Sequence, residues 1–98
     1  MTNKKDARAF NAAAKMLKSV AHPVRIEIIN HLMEKKSLTV NDLKERLKIT
    51  QSMTSQHLAV LKSAGIVACD KQANACHYFI RNRNVLKLLD CVEHCAKQ

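Results

Sequence analysis

The only glycine of the chain, Gly65, stands at the boundary between two kinds of residue pattern. Before it, apolar residues recur at helical spacing almost without interruption. After it come two short runs that read as β strands. A glycine just past a helical pattern suits the left-handed residue that closes a helix. The only proline, Pro23, marks the other sharp break and suits the first turn of a helix. The 98 residues read as helix after helix, with one short β signal late. No repeat, Ser/Gly linker or low-complexity run divides them, so one domain over 1–98 is expected, with residues 1–5 flexible.

Residues 6–20 read as an amphipathic helix, with Phe10, Ala13, Ala14, Leu17 and Val20 on one face. The second helix runs from Pro23 to about Glu34. Its stripe of Val24, Ile28, Ile29 and Leu32, widened by Ile26 and Met33, is broad enough for a central position. Residues 35–38 read as a connector. Thr39 is an N-cap candidate with Asp42 three residues on, opening a short helix to about residue 48. Thr50 opens the next helix, which ends near Ala64. Residues 66–70 and 76–80 read as strands joined by a tip at 71–75, and residues 82–96 as a last helix whose apolar stripe is Val85, Leu88, Leu89, Val92 and Ala96. The order α-α-α-α-β-β-α, mainly α with a small β-hairpin, is the layout of a winged helix-turn-helix.

Seventeen Lys+Arg against eight Asp+Glu give a formal charge of +9. The excess is spread along the chain, so a folded surface carries the field and a polyanion such as nucleic acid is the partner it fits. An apolar fraction of 47 % argues against disorder. No apolar run approaches the roughly 18 residues of a membrane span, and charged residues interrupt any signal-peptide core. A soluble, cytoplasmic protein without a membrane partner is expected. Paired carboxylates, a nucleophile–base spacing and a phosphate loop are all missing, so enzymatic activity is not expected.

On a helical wheel of residues 50–64, Met53, His57, Val60, Leu61 and Ala64 cluster on one arc, with Leu58 at its edge. Gln51, Ser52, Ser55, Gln56, Ala59 and Lys62 take the opposite arc, and Thr54 falls nearer the apolar one. A merely solvated helix face usually carries Glu–Lys pairs. Amides and hydroxyls near a helix N-terminus are what base edges and phosphates need. His57, amid apolar neighbours, reads as a packed, hydrogen-bonded histidine and not as a catalyst or ligand.

The stretch from Lys18 to Leu32 resembles the second-helix signature of the ArsR/SmtB transcriptional regulators. The stretch from Thr50 to Val67 (Thr-Gln-Ser-Met-Thr-Ser-Gln-His-Leu, then Leu61 and Gly65-Ile66-Val67) resembles their recognition helix and first wing strand. The resemblance covers about residues 15–96. It implies a homodimer paired through the first and last helices, and a near-palindromic double-stranded DNA operator. It implies operator contact by Gln51, Ser52, Thr54, Ser55 and Gln56. The wing around Lys71 and Asn74 would lie by the minor groove, and Lys62 and Thr39 complete the candidate DNA-facing set. It also implies a repressor released by an inducer. The alternatives are a winged-helix protein-interaction module and a constitutive DNA-binding regulator without a sensor.

The family's known sensor positions are mostly unfilled. Thr39 and Asn41 stand where soft-metal members carry Cys-x-Cys. Asn82, Asn84, Cys95 and Gln98 stand where zinc members carry ligands, and Asn30 replaces the second-helix cysteine of persulfide sensors. Four cysteines remain. Cys91 and Cys95 stack one turn apart on the last helix. Cys69 and Cys76 lie symmetrically about the expected hairpin centre and should face each other as thiols. Two readings stand: packing residues, or a thiol sensor for a soft metal, an arsenical or redox change, with Cys91 and Cys95 leading. A tetrahedral metal site would need ligands from a partner chain or from the wing cysteines.

Overall fold

The computed structural model describes residues 4–97. Residues 1–3 of the stretch expected to be flexible, and Gln98 of the zinc comparison, lie outside them. Five helices and a small sheet follow in the order α1 (Lys4–Val20), α2 (Pro23–Glu34), β1 (Leu38–Thr39), α3 (Val40–Leu47), α4 (Gln51–Ser63), β2 (Val67–Gln72), β3 (Ala75–Ile80) and α5 (Asn84–Ala96). The sheet is antiparallel with strand order β1-β3-β2.

α2 is central, as its wide stripe requires: Ile28, Ile29 and Leu32 are fully or almost fully buried. Around them pack Leu43 of α3, Leu58 and Leu61 of α4, Ile66, Val67 and Ile80 of the hairpin, and Val85 and Leu89 of α5. Two helix starts follow the sequence signals. Thr39 and Asp42 form a reciprocal capping box: the Asp42 amide donates to Thr39 Oγ1 at 3.1 Å and the Thr39 amide to Asp42 Oδ2 at 3.0 Å. These bonds to Thr39 hold the Asp42 carboxyl below its ordinary range. Thr50 Oγ1 accepts from the Met53 amide at 3.1 Å. The α2 cap was not visible in the residue pattern. There His22 Nδ1 accepts from the Val24 amide at 3.1 Å, just ahead of Pro23.

Gly65 has φ +76°. Its amide donates to Lys62 O and the Ile66 amide to Leu61 O, each at 3.0 Å, which is the paired closure of a Schellman motif. Ile66 and Leu61, both buried, make the accompanying apolar contact. A Cβ at residue 65 would meet nothing within 4 Å, so the backbone angle, not space, demands glycine. Gly65→Ala should therefore cost about 1–2 kcal/mol, read as a lower urea midpoint with an unchanged slope.

The hairpin departs from the expected one. Its tip is two residues, Ala73 and Asn74, with φ of 50° and 65°, the left-handed pair of a tight hairpin turn. The strands therefore run further out than expected, and Cys69 stands opposite Tyr78 while Cys76 stands opposite Lys71. β1, expected as a connector, is a two-residue strand pairing Leu38 with Tyr78 and Thr39 with His77. It is too short to show a period.

Candidate nucleic-acid interface

α3 is capped at its C-terminus by Lys48, whose left-handed conformation (φ 56°) turns the chain towards the Thr50 cap of α4. This three-residue turn fixes α4 against α3 and leaves the first turns of α4 exposed. Gln51, Ser52, Ser55, Gln56, Ala59 and Lys62 are all exposed, as expected. The apolar side is displaced by about one residue step, roughly 100°. Thr54, Leu58 and Leu61 are the buried residues of α4, while Met53 and Val60 are exposed. Thr54 is thus corrected as a DNA-contact candidate. It is fully buried and its hydroxyl donates to Thr50 O at 2.8 Å. Met53, expected in the core, is 44 % exposed beside the polar residues of the first turn. The wheel sets Thr54 nearer the apolar arc, and only the resemblance implied DNA contact for it; Met53 and Val60 are the residues the wheel misplaces, because their type signals nothing against packing.

His57 is half-buried and hydrogen-bonded, as expected: Arg25 Nε donates to its Nδ1 at 3.2 Å. The same guanidinium donates to Ser19 O at 3.1 Å and Lys18 O at 3.4 Å. Arg25 therefore ties the end of α1 and the body of α2 to the recognition helix, a positioning role that its residue type alone does not reveal. The His22 ring lies 4.6 Å from that of His57. Burial, with His22 and Arg25 adding repulsion, holds His57 below its ordinary value of 6.5. The folded state therefore favours neutral His57. Its contribution is present above pH 6.5 and is lost as the pH falls through the lower folded value. Between about pH 7.5 and about pH 5, His57→Gln should lose less stability than the parent chain in urea titrations. An equal loss in both would exclude His57 as a source of acid sensitivity.

At the wing, Lys71 and Asn74 are exposed. Thr39 lies at the far end of α3 from the helix-turn-helix bend, about 12 Å of helix away, with its hydroxyl committed to the capping box. Cys69 and Cys76 are joined as a disulfide, Cα atoms 5.6 Å apart. This corrects two expectations: the pair is diagonal, because the tight tip shifts the register, and the sulfurs are bonded. Cys91 and Cys95 are free and exposed on α5. Among the described residues, no group of three or more His, Cys, Asp or Glu is gathered to hold a metal ion. No described helix is long and apolar enough to cross a membrane.

A tight-turned helix pair whose second member presents a polar face, followed by a β-hairpin and set on a basic chain, defines a winged helix-turn-helix DNA-binding protein. Residues 22–68 match the profile of the bacterial regulatory protein, arsR family. The transcriptional repressor PagR of Bacillus anthracis is 34 % identical over 83 residues, covering 82 % of this chain and 83 % of PagR. Its crystal structure matches with a TM-score of 0.79 over 88 % of this chain and 98 % of that one. The structure of HlyU from Vibrio cholerae, 30 % identical, matches with a TM-score of 0.78 over 99 % of this chain and all of that one. HlyU is described as a transcriptional activator. The homodimeric DNA-binding domain of Mb0332 from Mycobacterium bovis shares the fold, with a TM-score of 0.87 at 22 % identity over 98 % of this chain and 88 % of that one. The chain belongs to the arsR family: it is a DNA-binding transcriptional regulator, in a family of regulators and not of enzymes.

Proposed function

We propose that the chain acts in the cytoplasm as a homodimeric repressor of a near-palindromic DNA operator. The observation that carries this reading is the exposed, uncharged face of the first turns of α4, anchored by the Thr50 cap and by Arg25. Gln51, Ser52, Ser55 and Gln56 supply amides and hydroxyls for base edges and phosphates, and Met53 supplies an apolar contact suited to a thymine methyl. Lys62 and the wing residues Lys71 and Asn74 meet the sugar–phosphate backbone and the minor groove.

Dimerisation is supported by an apolar face shared by α1 and α5. Phe10 is 61 % exposed, and Leu17 and Val92 are each 49 % exposed. Leu17 and Val92 border a cleft of about 190 Å³ lined also by Val20, Ala21, Ile26, Leu88 and Leu89. A second copy related by a two-fold axis would cover this face and set two recognition helices about one DNA turn apart. The homodimeric Mb0332 domain supports the same reading. Repression is favoured by the name given to PagR, and activation, as named for HlyU, is the second reading.

Enrichment of duplexes from a random-sequence pool tests the proposal. A two-fold symmetric motif should emerge. Its binding should weaken about 10³-fold or more between roughly 50 and 200 mM salt if each dimer neutralises about 6–10 phosphates. Enrichment of no motif, or salt-independent binding, would count against it.

A further inference from the structure

We infer that Cys69 and Cys76 form a reversible oxidation site in the wing, and that their oxidation by a peroxide tightens DNA binding. The inference rests on the DNA-binding reading and gives it a regulatory input. Three observations place the site. First, Cys69, Lys71, Cys76 and Tyr78 occupy one face of the hairpin, which continues the face of the buried Val67 and Ile80. The two cysteines are half-buried, close enough to bond and still open to a small oxidant. Second, β1 pairs with β3 only at His77 and Tyr78. Beyond that point the wing has two strands, an arrangement of marginal stability alone, and the cysteine pair lies where the third strand ends. Third, the segment enclosed by the pair contains Ala73 and Asn74, two successive non-glycine residues with positive φ, and also Lys71 and Asn74, the residues offered to DNA. A cross-link there holds a costly turn in the shape that presents those side chains.

Lys71 stands directly across the strands from Cys76 on the same face, and the thiolate is the form of a cysteine that attacks a peroxide. The Cys76 thiolate attacks one oxygen of the peroxide, the O–O bond breaks, and the departing hydroxide takes a proton to become water. The Cys69 thiol then attacks the resulting sulfenic sulfur. The S–S bond forms, the S–O bond breaks, and the hydroxyl leaves as water with the proton of Cys69. Two thiols are oxidised to one disulfide while one peroxide is reduced to two waters. A thiol reductant reverses the bond. In a compartment that keeps thiols reduced, such a bond is transient and suits signalling.

The test uses the whole chain, reduced with dithiothreitol or oxidised with hydrogen peroxide, and a duplex that the protein itself enriches from a random pool. Trypsin cuts after Lys62, Lys71 and Arg81, so oxidised protein should release the peptides 63–71 and 72–81 joined to each other. Oxidised protein should bind the duplex about tenfold tighter than reduced protein, the gain expected from pre-ordering one or two side chains and their loop. Cys69→Ser, Cys76→Ser should bind like reduced protein under both conditions, and Cys91→Ser, Cys95→Ser should keep the full difference. Absence of the joined peptides, equal or weaker binding after oxidation, or a difference that survives in Cys69→Ser, Cys76→Ser would each overturn the inference. Enrichment of no duplex in either state would instead count against DNA binding, and the joined peptides would then decide alone whether the wing oxidises.

Discussion

Replacing Ser52 and Ser55 together by glutamate should abolish specific operator binding while leaving the fold intact. Both residues are exposed on α4, and neither belongs to the buried set of Thr54, Leu58 and Leu61. Two new carboxylates per chain would face phosphates and the acceptor-rich base edges, and each would displace a hydroxyl able to donate. A lost base contact alone is worth about 1–3 kcal/mol, so two lost contacts plus repulsion should weaken binding at least about a hundredfold. The stability change should have the opposite sign or vanish. Position 52 lies in the first turn of α4, which holds no acidic residue, and a carboxylate there gains about 0.3–1 kcal/mol from the helix dipole. The measurement is therefore a pair: operator affinity by anisotropy and midpoint by urea titration. Ser52→Ala, Ser55→Ala should lose less affinity, because nothing repels. If the glutamate variant binds within a few-fold of the parent chain, the exposed face of α4 does not enter the groove.

Much of this interface was readable from residue types because punctuation and capping are local. Pro23, the Thr39–Asp42 pair, Thr50 and Gly65 each act through their own backbone and gave the helix limits to within one or two residues. The polar face of α4 was readable for the same reason: Gln51, Ser52, Ser55 and Gln56 lie close together in sequence. The errors lie where tertiary packing chooses among near-equal options. The α4 wheel had apolar residues on nearly three sides, and only the contact with α2 and the hairpin selects Leu58 and Leu61 over Met53 and Val60. The wing register depends on whether Ala73 accepts a left-handed angle, which alanine does not advertise, and a shift of one residue in the tip converts facing cysteines into diagonal ones. Arg25 shows the same limit, since it reaches His57 32 positions away. No local pattern announces such a contact.

Leu17→Asp combined with Val92→Asp should convert the protein to a monomer and, through that, remove operator binding. Leu17 and Val92 lie on opposite sides of one cleft between α1 and α5. Their exposure in the single chain means that neither change opens the core of Leu32, Ile28 and Ile29. In a two-fold interface every substitution occurs twice, so four apolar side chains are replaced by four carboxylates. Each side chain is already about half covered in the single chain, so losing its remaining burial costs roughly half of the 1.5–3 kcal/mol of full burial, about 3–6 kcal/mol over four, and four carboxylates gathered between the subunits add repulsion. A loss of that size weakens association by roughly two to four powers of ten before repulsion is added, so sedimentation at about micromolar protein should shift to the mass of a single chain. Operator affinity should then fall by several orders of magnitude, because each free half binds its half-site alone. Lys15→Glu serves as the comparison: it sits two residues before Leu17, roughly 200° round α1 and away from the apolar face. It should leave the dimer intact and weaken DNA binding only through charge, a loss that shrinks as salt is raised. If Leu17→Asp, Val92→Asp remains dimeric, the second copy sits elsewhere, and the exposed face of α1 and α5 needs a different occupant.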